Sequence, residues 1–356
     1  MDTLKLKSAG FSVKDLARLV FSDPLLKAVH QKYPFRITAH VASLISSLDD
    51  PIGKQFIPHA LELADDGGLD DPLGEKALSP LPGLVHRYPD RVLWLVTSRC
   101  AARCRFCTRK RLWKHKISLS QETILAVTGY IREHREVRDV LISGGDPLLL
   151  DEETLDLVLH SLRSIKHVAI VRIGTRLPIV DPGRVSPSKI ALLVRYQPLY
   201  VNIHVNHPRE LSDSASEVLK SMASSGIPLG SQTVLLRGIN DNAEILKELF
   251  LLLLQHRVRP YYLLQMDVMK GTAHFRTPVS QGLKIIQSLR HRLSGLAIPH
   301  FVIDLPGGGG KVSLVPSAIE GISNDRLLLR NREGGISAYP IDPDERESLM
   351  KLLGLC

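Results

Sequence analysis

The stretch TSRCAARCRFCTRKR, residues 97–111, contains three of the four cysteines of the chain. Cys100, Cys104 and Cys107 have the spacing C-x3-C-x2-C and are surrounded by arginine and lysine. They directly follow the apolar run RVLWLVT, residues 91–97, which has the pattern of a buried strand. The stretch therefore predicts a group of thiols on the loop at the end of a strand.

Three neighbouring thiols indicate a metal centre rather than a disulfide framework. A structural zinc site usually has four protein ligands, and a fully ligated 4Fe-4S cluster has four cysteines. Three thiolates would leave one iron of such a cluster open to a small molecule. The fourth cysteine, Cys356, is the last residue and a poor candidate for the missing ligand. Zinc completed by a histidine such as His115, or a cysteine cluster without metal, are the alternatives.

The composition of the chain is that of a soluble globular enzyme. Of its 356 residues, 44% are hydrophobic and 23% are charged. Its longest apolar runs, such as ELFLLLL, are too short to cross a membrane, and residues 1–21 lack the pattern of a secretory signal. Because three of four cysteines form one motif, we expect a reducing, cytoplasmic location.

The chain is basic, with 46 Lys and Arg against 37 Asp and Glu, a formal charge of +9. The positive residues are spread out apart from one cluster that comprises Arg103, Arg105, Arg109, Lys110, Arg111, Lys114 and Lys116. Aromatic residues make up only 5%, and no stacking pattern accompanies the cluster. The charge therefore favours anionic small molecules over nucleic acid as ligands.

The order of the elements indicates the fold class. Residues 1–80 have helical apolar spacing, and a turn-rich connector around residues 63–83 follows. Amphipathic stretches then alternate with short apolar runs, and the predicted strands are 91–97, 138–143, 167–174, 200–205, 231–237, 259–266 and 300–305. This α/β alternation predicts a partial (β/α)6-type TIM barrel over residues 81–320, after an N-terminal helical region (1–80) and before a short C-terminal segment (321–356).

A glycine-rich turn follows the second predicted strand. Gly144 and Gly145 would let the backbone approach a ligand closely, and Asp146 with Pro147 would stiffen the turn. Most such turns are merely structural. At the end of the strand after the cysteine loop, however, this turn fits the wall of a ligand site.

A second glycine-rich stretch, DLPGGGGKV at residues 304–312, ends in Lys311. It differs from a phosphate-binding P-loop, because Val312 stands where that loop needs Ser or Thr. A lysine on a flexible glycine hinge suits a Schiff base with pyridoxal 5′-phosphate (PLP). Arg87 and Arg91 in HRYPDR could then hold the phosphate. The alternative is a surface loop with a solvated lysine.

Seven motifs between residues 35 and 340 together resemble the lysine 2,3-aminomutase family of radical S-adenosyl-L-methionine (SAM) enzymes. They are PGLVHRYPDR, CAARCRFCTRKR, SGGDPL, VNIHVNHPREL, QTVLLRGINDN, MDVMKGTAHFRTPVS and DLPGGGGKV. The resemblance implies a partial barrel of the radical SAM kind. It also implies that the cysteine triad holds a 4Fe-4S cluster whose open iron binds SAM.

The resemblance assigns further roles to individual residues. The SAM pocket would be lined by Ser143, Gly144, Gly145, Asp146, His204 and Gln232. PLP would be held by Arg87, Tyr88 and Arg91 and linked to the catalytic Lys311. Arg109 would bind the substrate carboxylate, a task that suits a guanidinium. Asp267 and Asp304 would receive the ε-ammonium of lysine, although either aspartate alone could be a helix or turn cap.

The implied reaction is a 1,2-amino shift that converts L-lysine to β-lysine. A 5′-deoxyadenosyl radical would start it after one electron arrives from a donor such as flavodoxin or ferredoxin. Longer catabolic relatives carry zinc-binding cysteines in a C-terminal extension. This chain has none there and has Asn242 where they place a further zinc ligand, so we expect no zinc and leave a homo-oligomer open.

Other functions stay open from the sequence alone. The substrate could be another cationic amino acid, or the product could serve the modification of elongation factor P. From other classes, a radical SAM enzyme that modifies RNA would share the cysteines and the basic charge, and a non-catalytic iron–sulfur or zinc protein would share the cysteines. Neither would explain Lys311 or the two aspartates.

Overall fold

The computed structural model describes residues 10–65, 67–115, 117, 119–315, 318–330 and 334–354, so Cys356 and Lys116 lie outside the described residues. The helices in these ranges, α1 to α12, are Val13–Ser22, Pro24–Lys32, Ala39–Leu44, Gly53–Phe56, Gln121–Glu133, Glu152–Arg163, Leu177–Val180, Pro187–Arg195, Asp213–Ser224, Ala243–Gln255, Val279–Arg292 and Arg346–Leu353. The strands, β1 to β12, are Leu84–Tyr88, Arg91–Thr97, Asp139–Gly144, Ile170–Thr175, Leu199–His204, Leu229–Leu235, Val258–Gln265, His300–Leu305, Gly310–Ser313, Ile319–Ser323, Arg326–Arg330 and Ile336–Pro340. None of these helices is long and apolar enough to cross a bilayer.

The main sheet confirms the predicted partial barrel. Within the described ranges, β2 to β8 pair in chain order, and every pair among them is parallel. The helices α5, α6, α8, α9, α10 and α11 each lie in one of the six crossovers between these strands. Strands β1 and β9, which the sequence analysis missed, flank the sheet as antiparallel edges. The sheet is therefore a seven-stranded parallel arc with one extra strand at each end.

The helices cover the sheet with apolar stripes. In α6 the buried residues are Leu155, Val158, Leu159 and Leu162, a spacing that places them on one face of a helix. They join one large core with buried strand residues such as Trp94. Each fully buried leucine of this kind contributes about 1.5–3 kcal/mol. The sheet is thus held rigid, with the ends of its strands free to carry a site.

The two edge strands approach each other at one point. The backbone N–H of Lys311 in β9 donates a hydrogen bond to the Tyr88 hydroxyl of β1, at 2.8 Å. The preceding residue, Gly310, has φ +85°, and a Cβ there would lie 3.0 Å from the Tyr88 oxygen. Glycine is therefore needed where β9 passes Tyr88. This contact brings Lys311 next to β1.

The N-terminal helices pack on the cysteine loop. A second apolar cluster joins Leu16, Ile45 and Phe56 of this region to Ala102 of the loop and to Val180 after β4. The backbone adds two connections: Arg103 N–H donates to Arg36 O, and Arg105 N–H donates to Gln55 O. The loop is thus supported from outside the barrel.

A buried ion cluster completes that support. The carboxylate of Glu62, in a short 3-10 helix, accepts hydrogen bonds from Arg105 (2.7 and 2.8 Å) and from Lys110 (2.8 Å). All three side chains are inaccessible to solvent. Arg105 also donates to Tyr33 O and Lys110 to Gly271 O. Arg105 and Lys110, two members of the predicted basic cluster, are therefore buried side chains that stabilise the loop.

We predict that Glu62→Gln destabilises the fold by about 3–5 kcal/mol, because it leaves two buried cations without their counter-charge. Chemical denaturation should show the loss as a lower midpoint. Glu133→Gln, at an exposed position of α5, is the matched control and should change stability by no more than about 0.5 kcal/mol. Equal effects of the two substitutions would contradict the role of Glu62.

Candidate active site

One cavity of about 510 Å³ contains all sixteen residues that the sequence analysis assigned to the site. They are Arg87, Tyr88, Arg91, Cys100, Cys104, Cys107, Arg109, Ser143, Gly144, Gly145, Asp146, His204, Gln232, Asp267, Asp304 and Lys311. Many of them stand at or beyond the C-terminal ends of the parallel strands, where barrel enzymes carry their chemistry. The topology therefore brings the separate motifs together.

The three cysteines are on the loop after β2 and are half-buried residues. Burial raises the pKa of each thiol, most strongly for Cys100. In the described part of the chain, no three His, Cys, Asp or Glu side chains converge as ligands of one metal ion. A cubane does not need such convergence, because each cysteine binds a different iron. The three thiols are thus compatible with a 4Fe-4S cluster.

The turn after β3 is pressed against the start of the cysteine loop. A Cβ on Gly144, which has φ +130°, would lie 2.2 Å from Thr97 O, and one on Gly145 would lie 2.1 Å from Arg99 O. The backbone N–H of Asp146 donates to Arg99 O at 2.8 Å. A side chain at either glycine would displace the loop that carries the cysteines.

The carboxylate of Asp146 faces protein groups. It accepts hydrogen bonds from the Thr175 hydroxyl (2.7 Å) and from the backbone N–H groups of Arg176 (2.8 Å) and Leu148 (3.1 Å). Burial nevertheless raises its pKa. Asp146 thus fixes the ends of β3 and β4 relative to each other, and it shapes the predicted SAM pocket through the turn.

Several polar atoms in the same cavity have no partner in the described residues. They include His204 Nε2, Asn202 Nδ2 and Gln265 Oε1, on β5 and β7. Burial and the charge of Arg176 lower the pKa of His204 to about 3, so its imidazole is neutral at pH 7. Buried polar atoms without partners are costly, which fits a polar ligand between these strands. Asn202 and Gln265 were not predicted from the sequence.

At the other end of the cavity, Asp304 lies between two cations. Its carboxylate pairs with Arg87 at 2.6 Å and with the ammonium of Lys311. Arg87 also donates to Leu73 O at 2.7 Å, and Arg91 stacks on the Tyr88 ring at 3.9 Å. The amine and the two guanidinium groups that a phosphorylated aldehyde cofactor needs are thus adjacent, so the residues present fit PLP.

Glu75, which the sequence analysis missed, holds Arg109. Its carboxylate accepts from Arg109 Nη2 (2.7 Å) and Nε (2.9 Å), and from Arg111 (2.7 Å). Burial would raise the pKa of Glu75, but the two arginines outweigh it and lower the pKa to about 2. Glu75 comes from the connector, and only the surplus of arginines near the cysteines hinted at such a partner.

A second network missed from the sequence reaches Cys104. Arg176, directly after β4, donates to Cys104 Sγ at 2.7 Å, to Glu210 at 2.6 Å and to Gln55 at 2.7 Å. The four residues come from four separate segments, so no local motif contains them. Only the position of Arg176 at the end of a strand could have marked it.

Asp267 lies close to Asp304 and has an unusual acidity. Burial and the charge of Asp304 raise its pKa to about 7, although Lys311, Arg109 and Arg87 act in the opposite direction. Two acids face this end of the cavity, and one of them is half protonated near neutral pH. A cation bound beside Asp267 would favour its charged form and lower this pKa.

Two sequence comparisons define the class of protein. Residues 94–249 match the family model of the radical SAM superfamily, and residues 286–350 match the one described as lysine-2,3-aminomutase. The chain is 48% identical over 307 residues to an L-lysine 2,3-aminomutase of Clostridium subterminale, which covers 85% of this chain and 74% of that protein. A protein of the same name from Fusobacterium nucleatum is 47% identical over 95% of this chain and 81% of its own.

A glutamate 2,3-aminomutase of Clostridioides difficile is 39% identical over 89% of this chain and 76% of its own. The chain belongs to the lysine 2,3-aminomutase family of radical SAM enzymes. This confirms the predicted family, the isomerase class and the three cofactors, which are a 4Fe-4S cluster, SAM and PLP. The roles of the individual site residues stay predictions.

We predict that Asp304→Asn lowers the pKa of Asp267, because it removes the neighbouring like charge. Burial remains, so the pKa should stay above the ordinary value of about 3.9. The measurement is a ¹³C NMR titration of labelled aspartate carboxyls, with Asp267→Asn to assign the signal. Asp213→Asn, on α9, should leave it unchanged. A pKa of Asp267 that is ordinary, or indifferent to Asp304→Asn, would contradict the proximity argument.

Proposed function

We propose that the chain moves the α-amino group of L-lysine to its β-carbon and so forms β-lysine. The observation that carries this proposal is the pair Asp267 and Asp304, which lies in one cavity with Lys311, Arg109 and the cysteine triad. Because a glutamate-specific relative belongs to the same family, membership alone leaves the substrate open. The two acidic residues of the pocket, Asp267 and Asp304, are what favour a cationic substrate.

The residues that would hold each group are adjacent in space. The cysteine triad would bind the cluster; Ser143, the glycine turn, His204 and Gln232 would surround SAM; and Arg87, Tyr88 and Arg91 would hold PLP. When bound, the cluster and SAM supply a hydrogen-abstracting 5′-deoxyadenosyl radical, and PLP supplies a π-system that stabilises the migrating nitrogen. Exclusion of water during the reaction would protect these reactive groups from side reactions.

Lys311 and Asp304 would act as a unit. The ion pair between them keeps the lysine amine aimed into the cavity, and Asp304 Oδ2 can take a proton from Lys311 Nζ. Lys311 would hold PLP through its amine, and Asp304 would keep that amine in place from the side of Arg87. Asp267 and Asp304 would together receive the ε-ammonium of the substrate.

Arg109 would bind the substrate carboxylate without leaving Glu75. Glu75 accepts from Nε and Nη2, so the Nη1 edge of the guanidinium has no partner among these hydrogen bonds. The buried Glu75 therefore orients the fork of Arg109. A substrate that is anchored at its carboxylate and at its distal ammonium is held at both ends, which restricts which carbon faces the radical.

The electron donor and the cellular location are proposed from the chemistry of the reaction, because no contact among the described residues bears on them. A donor such as flavodoxin or ferredoxin would supply the electron, and a reducing cytoplasm would keep the thiols available. A homo-oligomer, the absence of zinc and the domain boundaries at residues 80 and 320 stay predictions. Another cationic amino acid, or β-lysine made for elongation factor P, are the variants that the same pocket would allow.

Anaerobic turnover tests the proposal directly. Protein reconstituted with iron, sulfide and PLP, then given SAM, dithionite and L-lysine, should form β-lysine detectable by mass spectrometry. Product should fall to background in Cys104→Ala and Lys311→Ala, and by at least about thirtyfold in Asp304→Ala, whereas Lys284→Ala on α11 should match the wild type. If SAM is cleaved but no β-lysine forms, the assignment of lysine as the substrate is wrong. If a verified cluster is present and neither SAM cleavage nor β-lysine is observed, the aminomutase activity itself is contradicted.

The pKa of Asp267 predicts the pH dependence of lysine use. Below about pH 7 its carboxyl is protonated and does not attract the ammonium, so kcat/KM for lysine should rise as pH increases through 7 and then level off. In Asp267→Asn this rise should vanish, and kcat/KM should be at least about thirtyfold lower. Initial rates from pH 6 to 8.5 provide the measurement. An unchanged profile in the variant would remove Asp267 from the substrate site.

A further inference from the structure

A buried ion pair lies directly behind Cys104 and has no part in the proposed reaction. Arg176 follows β4, Glu210 is in a short 3-10 helix after β5, and both side chains are buried. The two Nη atoms of Arg176 have different partners: Nη1 donates to Cys104 Sγ at 2.7 Å, and Nη2 donates to Glu210 Oε2 at 2.6 Å. The guanidinium therefore lies between a sulfur atom and a carboxylate.

Further hydrogen bonds fix the pair in this arrangement. The second carboxylate oxygen of Glu210 accepts from the backbone N–H groups of Asn206 (2.9 Å) and His207 (3.0 Å). Gln55 bridges the two partners, since its Oε1 accepts from Arg176 at 2.7 Å and its Nε2 donates to Glu210 at 3.1 Å. Neither charged group can turn away from the other without breaking several buried hydrogen bonds.

The contact with Cys104 differs from the one at a neighbouring cysteine. Cys107 Sγ accepts a hydrogen bond from the backbone N–H of Arg109, which is an uncharged donor at 3.4 Å. The donor to Cys104 is a guanidinium at 2.7 Å, and this guanidinium also lies over the Phe106 ring, 5.3 Å from its centroid. Because Phe106 belongs to the cysteine motif itself, Arg176 contacts the motif at two points.

A charged donor at a ligand sulfur changes how readily an iron–sulfur cluster accepts an electron. Reduction adds one negative charge to the cluster, and both N–H···S hydrogen bonds and nearby positive charge stabilise the reduced form. Such effects are strong in a buried site, where little water screens them. A carboxylate on the far side of the same guanidinium opposes its charge but leaves its hydrogen bond to the sulfur intact.

We propose that Arg176 and Glu210 together set the reduction potential of the cluster. Arg176 orients the Cys104 thiolate and raises the potential, whereas Glu210 offsets the charge of the guanidinium and lowers it. Both are positioning residues, since they act on the cluster through Cys104. The inference rests on the proposed role of Cys104 as a cluster ligand. One electron passes from an external reductant such as dithionite to the cluster, and no bond of the protein is made or broken.

Substitutions of the two partners should shift the potential in opposite directions. Arg176→Gln removes the donor and its positive charge, so the midpoint potential should fall. Glu210→Gln removes only the negative charge, so it should rise. At the potential where half of the wild-type cluster is reduced, the ratio of reduced to oxidised cluster should change by at least about tenfold in each variant. The measurement is EPR-monitored potentiometry of reconstituted protein without lysine.

A second buried pair of the same cavity provides the matched controls. Arg172, four residues before Arg176 in the chain, donates to Asp139 at 2.8 Å. Arg172→Gln and Asp139→Asn make the same changes of charge away from the thiols, so both should keep a potential near that of the wild type. The double variant Arg176→Gln with Glu210→Gln leaves neither partner as an unpaired charge. Its potential should lie below that of the wild type, because the hydrogen bond to the sulfur is lost.

A merely structural role would loosen the loop in either single variant and shift both potentials in the same direction. Shifts of equal sign in Arg176→Gln and Glu210→Gln, or a double variant with the wild-type potential, would therefore overturn the proposal. If neither single variant binds iron, the double variant decides. Loss of iron in all three, with both controls loaded, would reduce the pair to a support of the loop. A wild-type protein that binds no cluster, or a cluster unaffected by Cys104→Ala, would instead contradict the proposed function.

Discussion

One buried carboxylate, that of Glu62, holds the cysteine loop in place. The two cations it binds, Arg105 and Lys110, lie within and just after the cysteine motif, so two ion pairs with one carboxylate fix the loop at two positions. Burial of three charges is costly unless each is paired and hydrogen-bonded, which here they are. The loop is therefore shaped by protein contacts that do not involve the thiols.

The part of the cavity around Asp304 also depends on buried charges that interact with each other. Asp304 is shared by Arg87 and Lys311, while Asp267 nearby has a raised pKa because burial and the charge of Asp304 outweigh the surrounding cations. A pocket with these two acids would favour a cationic substrate over an anionic one.

Much of this arrangement follows from local patterns in the sequence. The period of the apolar residues located the parallel strands to within a few residues, and the cysteine spacing, the glycine turn and Lys311 mark their own chemistry. The partners of those residues have no such local pattern, because Glu62, Glu75 and Arg176 act through contacts between distant segments. A glutamate in a connector has no sequence pattern that would reveal which residue it contacts. The edge strands β1 and β9 were missed because a barrel pattern predicts only its repeating units.

The contact between those two edge strands has a consequence for how the protein assembles with its cofactor. Tyr88 and Arg87 belong to the first strand of the sheet and Lys311 to the last, and a hydrogen bond from Lys311 N–H to the Tyr88 hydroxyl joins the two edges. Under the proposed roles, PLP would be bound by residues of the first strand and linked to Lys311 of the last. It would then act as a cross-link between the two ends of the barrel. Loading that cofactor would then be the final step of assembly, so that a chain without it would be a looser, more easily digested molecule.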